Sequence, residues 1–144
     1  MTDQSAARHR RGTVLIVEDE FLILMDVSRR LRDAGYGVIE ASNVAEARTA
    51  LHSWSRIDVA VLDIRLPQPA DGVGLVKWIK ANRPEVEAII ATGYDADEEL
   101  RALAPVVSKP YRSDELVAAI GELLAKRANR RAGSTTSSGN VAAR

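Results

Sequence analysis

The chain has 144 residues, 46% of them apolar but only 4% aromatic, which suits one globular domain with an aliphatic core. It has no cysteine, which excludes disulfide staples and thiolate chemistry. No apolar stretch approaches the roughly 18 residues of a membrane span, and no secretory signal opens the chain. The net charge of zero hides an acidic middle, 12 basic against 19 acidic groups over residues 12–122, between two basic ends.

Val14-Leu15-Ile16-Val17 is an unbroken aliphatic run, as expected of a strand buried on both faces. From Glu20 to Ala34, Leu24, Val27, Leu31 and Ala34 recur at helical spacing, and Gly35 stops that helix. Gly37 to Ala41 reads as a second strand, and Asn43 as the N-cap of a helix through Val44, Ala47 and Leu51. Val59-Ala60-Val61-Leu62 is a third strand ended by Asp63, followed by a loop with Pro67 and Pro69. Gly72 to Asn82 reads as helix, with Leu75, Val76 and Ile79 on its apolar face. Ala88 to Ala91 is a fourth strand, Asp95 to Ala102 a short helix and Pro105 to Val107 a fifth strand. Ser113 then caps a last helix carrying Leu116, Ile120, Leu123 and Leu124. Five strand-then-helix units predict an α/β fold, a doubly wound parallel sheet with helices on both faces. Residues 1–11 and 128–144 are expected as disordered basic ends around a domain over 12–127.

In open parallel sheets, ligands bind at the carboxyl ends of the strands. There the first strand offers Glu18 and Asp19, the third Asp63, the fourth Thr92 and the fifth Lys109. Carboxylates without softer ligands favour a hard cation such as Mg²⁺. Acids near a helix N-terminus also complement the helix dipole, which alone accounts for Glu18, Asp19 and Glu20. Asp63, arriving from another strand, tips the balance to a metal site, because three buried carboxylates repel one another without a cation. Lys109 is suited to pair with Asp63 and then with a phosphoryl oxygen, and the Thr92 hydroxyl to donate to one.

These residues stand in motifs, Val14-Leu-Ile-Val-Glu18-Asp19-Glu20, Val61-Leu-Asp63-Ile-Arg65-Leu-Pro67, Asp71-Gly72, Ala91-Thr92-Gly93 and Ser108-Lys109-Pro110, that resemble the receiver domain of bacterial response regulators over about residues 12–127. The resemblance implies a CheY-like, flavodoxin-like sheet of order 2-1-3-4-5. It implies that Asp63 accepts a phosphoryl group from a histidine kinase or a histidine phosphotransfer protein. It further implies Mg²⁺ held by Asp19, Asp63 and the main-chain carbonyl of Arg65, with Glu18 assisting.

Four departures from the family pattern stand out. Val106 occupies the position, three before the lysine, where many receivers carry a switch aromatic; Tyr94 and Tyr111 are the local alternatives. Ile90-Ala91-Thr92-Gly93-Tyr94 resembles a subgroup of stand-alone receivers with a Phe-Ala-Thr-Gly-Tyr motif. The stretch from Thr92 to Lys109 is short by roughly one helical turn, so the fourth helix is expected to be short, displaced or mobile. The loop after Asp63 is longer by one residue, and Arg65 and Tyr94 sit where family members tune phosphoryl lifetime, which predicts slow self-hydrolysis.

A pseudo-receiver, serving only as a phosphorylation-independent binding module, predicts a missing catalytic group, and none is missing. A haloacid-dehalogenase-type phosphatase wants a second acid two residues after its nucleophile, where Arg65 stands. The Gly-rich loops of nucleotide sites are absent. Only 17 residues follow Arg127, too few for a DNA-binding domain. The expectation is thus a cytoplasmic, stand-alone receiver, not an enzyme on external substrates. Its output is a partner protein, a phosphate relay or a phosphate sink, and the last two elements leave surface for a homodimer.

Overall fold

The computed structural model of the chain describes residues 11–54, 56–64, 69–93 and 98–142. Strands and helices alternate: β1 (Thr13–Val17), α1 (Phe21–Asp33), β2 (Gly37–Ala41), α2 (Val44–Ser53), β3 (Val59–Ile64), α3 (Pro69–Asn82), β4 (Glu87–Thr92), α4 (Glu98–Leu103), β5 (Val106–Ser108) and α5 (Ser113–Ala142). All strand pairs are parallel, and the sheet order is β2-β1-β3-β4-β5. The chain thus has the five-stranded, CheY-like doubly wound fold expected from its sequence.

Side chains alternate across a strand, so β1 feeds two cores at once. Leu15 and Val17 join Leu62, Leu75, Ile79 and Ile90 on one face, with α2, α3 and α4 packed there. Val14 and Ile16 join Leu24, Leu31, Val61, Leu116 and Ile120 on the other, under α1 and α5. Burying each such aliphatic side chain contributes about 1.5–3 kcal/mol, which explains why the central strands read as continuous apolar runs.

Local chemistry sets the ends of the elements. Gly35 adopts φ 99° after α1, and the Tyr36 amide donates to Leu31 O, a turn that a β-carbon would strain. Asn43 caps α2 as expected, its side chain accepting from the Glu46 amide at 2.8 Å. At Gly72 an added β-carbon would lie 2.8 Å from Ile64 Cγ1, so glycine lets the first turns of α3 press against the end of β3.

Several boundaries differ from the sequence reading. Asp63 lies within β3, which runs on to Ile64, because β4 continues beside it and pairs Ile64 with Thr92. Helix α3 begins at Pro69 rather than Gly72, consistent with the favourable first-turn position of proline. Helix α1 begins at Phe21, and Glu20 precedes it without a side-chain cap bond. Strand β5 is Val106–Ser108, and Ser113 is the first helical residue of α5. Helix α4 is short as expected, six residues with none buried, but it lies at Glu98–Leu103; residues 94–97 lie outside the described ones. The largest difference is at the C-terminus, where residues 128–142, read as disordered, continue α5. Two arginines tie the start of the extension to the sheet. Arg127 meets Asp58 Oδ1 at 3.5 Å, and Arg130 meets Glu87 at 3.0 Å. Arg11, read as part of a disordered arm, donates to Ala34 O at 3.1 Å and lies over the Tyr36 ring; residues 1–10 lie outside the described ones.

Candidate functional site

The parallel register brings the ends of β1, β3, β4 and β5 to one edge. The Glu18 amide donates to Ala41 O at 3.0 Å, which extends β1 along β2 by one residue and turns the Glu18 side chain inward. Glu18 is only 3% exposed. One carboxylate oxygen from each of Glu18, Asp19 and Asp63 lies within 4.8 Å of the others.

Lys109 enters from β5. Its amide donates to Thr92 O at 2.7 Å, fixing the end of β5 against β4. Its ammonium lies 2.9 Å from Asp63 Oδ2 and 3.2 Å from Glu18 Oε2. Thr92, 4% exposed, ends β4 beside Ile64. Glu18, Asp19, Asp63, Thr92 and Lys109, drawn from the ends of four strands, therefore lie along a single strand edge.

Among the described residues, one lysine faces three carboxylates, and Glu18 responds to this surrounding. Burial and then the negative charge of Asp63 push its pKa up to about 7, against the opposing pull of the Glu20 amide and Lys109. Burial would lower the pKa of Lys109, but its hydrogen bond to Asp63 and the charges of Asp63 and Glu18 outweigh that and raise it. Tyr111, which lines a cavity with Lys109, is pushed up to about 12 by burial and by the charges of Glu18 and Asp63.

Such a cluster fits a small divalent cation. The donors are all oxygen, as Mg²⁺ requires, and they converge from two strand ends on one point of the sheet edge. A bound cation would also relieve the repulsion that holds a proton on Glu18.

The remaining site residues separate into two groups. Val106 begins β5 and packs against the α2–α3–α4 core, so it lines the interior. Tyr111 packs partly against the α1–α5 core. Arg65 and Tyr94 lie outside the described residues.

One feature near the site went unread in the sequence. Phe21, Leu22 and Met25 at the start of α1 are 69%, 79% and 51% exposed. Leu22 also borders a cavity of about 300 Å³ shared with Asp26, Lys109, Pro110 and Tyr111. The signal was present: Phe21 to Met25 is a run of five apolar residues, whereas a surface helix buries only one stripe. Among the described residues, no helix is long and apolar enough to cross a membrane.

Comparison with known proteins agrees with this geometry. Residues 14–121 match the model of the response regulator receiver domain. The sensor kinase CckA of Brucella abortus is 31% identical over 80% of this chain and 13% of its own length. The transcriptional regulatory protein PdtaR of Mycobacterium tuberculosis is 34% identical over 83% of this chain and 58% of its own. The chain thus spans well under two thirds of these relatives. A receiver domain protein from Methanospirillum hungatei superposes with a TM-score of 0.73 at 29% identity, covering 83% of this chain and 98% of that one. The response regulator TrrA of Thermotoga maritima, solved in complex with Mg²⁺-BeF, superposes with a TM-score of 0.68 at 26% identity, covering 78% and 98%. With the strand order, the acidic cluster and a family match over residues 14–121, the chain belongs to the response regulator receiver domains of two-component signalling.

Proposed function

We propose that Asp63 is the phosphoacceptor of this receiver, taking a phosphoryl group from a phosphohistidine on a histidine kinase or a histidine phosphotransfer protein. The observation that carries the reading is the pairing of Asp63 Oδ2 with Lys109 at 2.9 Å inside a cluster of three carboxylates. A carboxylate is a competent nucleophile toward phosphorus. An Asp63 oxygen bonds to phosphorus as the bond from phosphorus to the histidine nitrogen breaks, and the product is an acyl phosphate. Lys109 turns from the carboxylate to a phosphoryl oxygen, and the Thr92 hydroxyl donates to another. Asp19, Asp63 and the Arg65 carbonyl, with Glu18 assisting, would hold Mg²⁺, which supplies positive charge to the phosphoryl oxygens when bound.

The exposed apolar start of α1 adjoins this edge, and it is the surface a donor protein would cover to bring its histidine to Asp63. The product is read by protein contact or passed on in a relay, in keeping with the Phe-Ala-Thr-Gly-Tyr-like stand-alone subgroup. Arg65 and Tyr94 stand at the positions that tune phosphoryl lifetime in family members, and slow self-hydrolysis is proposed on that ground. An Arg65→Ala, Tyr94→Ala double variant should therefore lose phosphate faster than the parent.

Intact mass after incubation with acetyl phosphate and Mg²⁺ tests the reading. The parent should gain one phosphoryl group, and Asp63→Ala or metal-free samples none. If the parent gains none from acetyl phosphate or from a phosphorylated histidine phosphotransfer protein, and binds no Mg²⁺, the chain is a pseudo-receiver.

A further inference from the structure

We propose that the outer face of α2 and α3 is a protein-binding surface, which takes an acidic segment of a partner protein carrying an apolar side chain. The chain has two tryptophans, and neither is fully buried. Trp54, the residue that ends α2, is 55% exposed. Trp78, in α3, packs only partly against the core. His52 lies against Trp78 with ring centroids 5.0 Å apart, and the Arg48 guanidinium stands over the same ring at 6.0 Å, so these contacts join the two helices. The backbone under the patch is fixed. The Trp54 amide donates to Ala50 O at 2.9 Å, and Arg83, just past α3, donates to Leu51 O at 2.8 Å and to Trp54 O at 2.7 Å. The His52 Nδ1 donates to Arg48 O at 2.8 Å. Tryptophan and arginine side chains on a rigid support are those that dominate binding at protein interfaces.

Charge selects the partner. Arg83 is matched by Glu85 at 2.8 Å and Arg56 by Asp58 at 3.5 Å, so neither enters the count. Arg48 meets no carboxylate among the described residues. The positions three and four away from it on α2 are Val44, Ala45, Leu51 and His52, and those around Trp78 on α3 are Gly74, Leu75, Ala81 and Asn82. Neither helix therefore offers Arg48 an acid at the spacing of a helix ion pair, and Glu46 is engaged with Ser42 at the start of α2. A guanidinium stacked on a ring keeps its in-plane N–H groups for a carboxylate. Arg48 thus supplies a fork for an acidic side chain, and Trp54 an apolar plane for a neighbour of that acid. The helices run back from the carboxyl edge of the sheet, so Trp54 and Arg83 stand near its amino edge, where β3 and β4 begin. A partner seated there leaves Asp63 open.

Both tryptophans lie on this surface, so their fluorescence reports on it. The test selects short random peptides lacking tryptophan, displayed on phage, against the full-length protein, and titrates the enriched peptides by tryptophan emission. The expected result is a shared pattern of Asp or Glu beside an apolar residue, with saturable one-to-one binding. Arg48→Glu and Trp54→Ala, both outside the core, should each bind at least about tenfold more weakly, the equivalent of about 1.4 kcal/mol, while keeping the parent's circular dichroism. Asp63→Ala should bind as the parent does. No enrichment, enriched peptides without an acid, or unchanged affinity in Arg48→Glu would each overturn the proposal. Loss of binding in Asp63→Ala would overturn it too, since the peptides would then sit at the other edge. A dimer in sedimentation that Trp54→Ala dissolves would make the occupant a second copy of the chain and overturn the proposed partner. Because Asp63→Ala is a control here, failure of this surface and failure of the phosphoacceptor reading are distinguishable.

Discussion

Two aspartates five positions apart on one stretch of chain meet opposite surroundings. Asp58, just before β3, accepts from the Thr13 amide at 2.8 Å and faces Arg56 and Arg127, each at 3.5 Å. Its main-chain carbonyl also accepts from Arg127 and from the Glu87 amide. Asp63, inside β3, has one lysine and two further carboxylates as neighbours. The first acid is surrounded by cations that belong to the fold. The second stands, among the described residues, with one ammonium and two further carboxylates, a grouping that suits a bound cation. Charge surroundings, more than burial, separate Asp58 from the proposed acceptor Asp63: their side chains are 15% and 5% exposed, both largely covered.

Removing the cation from each environment breaks this comparison most sharply. Lys109→Ala removes the ammonium that lies beside Glu18 and Asp63. The metal-free protein should lose about 3 kcal/mol at neutral pH, the usual cost of breaking a buried pair, and Mg²⁺ should restore a large part of it. The same variant should accept phosphate from acetyl phosphate far more slowly than the parent. Urea melts with and without Mg²⁺, with mass-detected phosphorylation alongside, would check both. A variant as stable in EDTA as the parent would mean that Lys109 does not compensate the cluster.

The pH dependence is a finer probe of the same grouping. Glu18 has a folded pKa of about 7 against 4.5 for the ordinary group. The folded state therefore binds its proton more tightly than the unfolded state does. Stability from this group is fully present below about pH 4.5, falls as pH rises towards about 7 and stays lost above it, by up to about 3 kcal/mol. In EDTA, the parent should lose stability between about pH 5 and about pH 8 relative to Glu18→Gln, which cannot titrate. Saturating Mg²⁺ should flatten the difference, because the ion holds the carboxylate charged in place of the proton. Parallel pH profiles for parent and variant in EDTA would remove the case for crowded carboxylates at this edge.

What the sequence discloses follows the same division. The strands were legible because β1, β3 and β4 are buried on both faces and must be continuously apolar. The candidate site was legible because Glu18, Asp19, Asp63 and Thr92 sit at the carboxyl ends of such runs, with Lys109 after the short β5. The amino edge was not. Asp58 gives no local hint that Arg127, 69 positions later, will reach it, and without that contact the polar stretch after Arg127 reads as disorder. The exposed start of α1 was hidden for another reason, since Phe21 and Leu22 look like core residues until the helix phase is known.

The smallest expected effects lie at the amino edge, where the ties are graded by burial. Arg127 and Asp58 have side chains 14% and 15% exposed, so Arg127→Ala removes a partly desolvated pair and two interactions at once. Asp58 still keeps the Thr13 amide and Arg56, so the loss should fall below that at Lys109, at about 1–2 kcal/mol. Arg130 and Glu87 are 62% and 26% exposed; water screens that pair, and Arg130→Ala should cost less than about 1 kcal/mol. Urea melts in low and high salt would rank them, with only the Arg130 loss shrinking markedly as salt rises. Neither change should alter phosphorylation at Asp63, because both ties lie at the far end of the strands. If Arg127→Ala slowed phosphorylation while the protein stayed folded, the two edges would be coupled through β3, and the separation of Asp58 from the proposed acceptor would have to give way to one shared network.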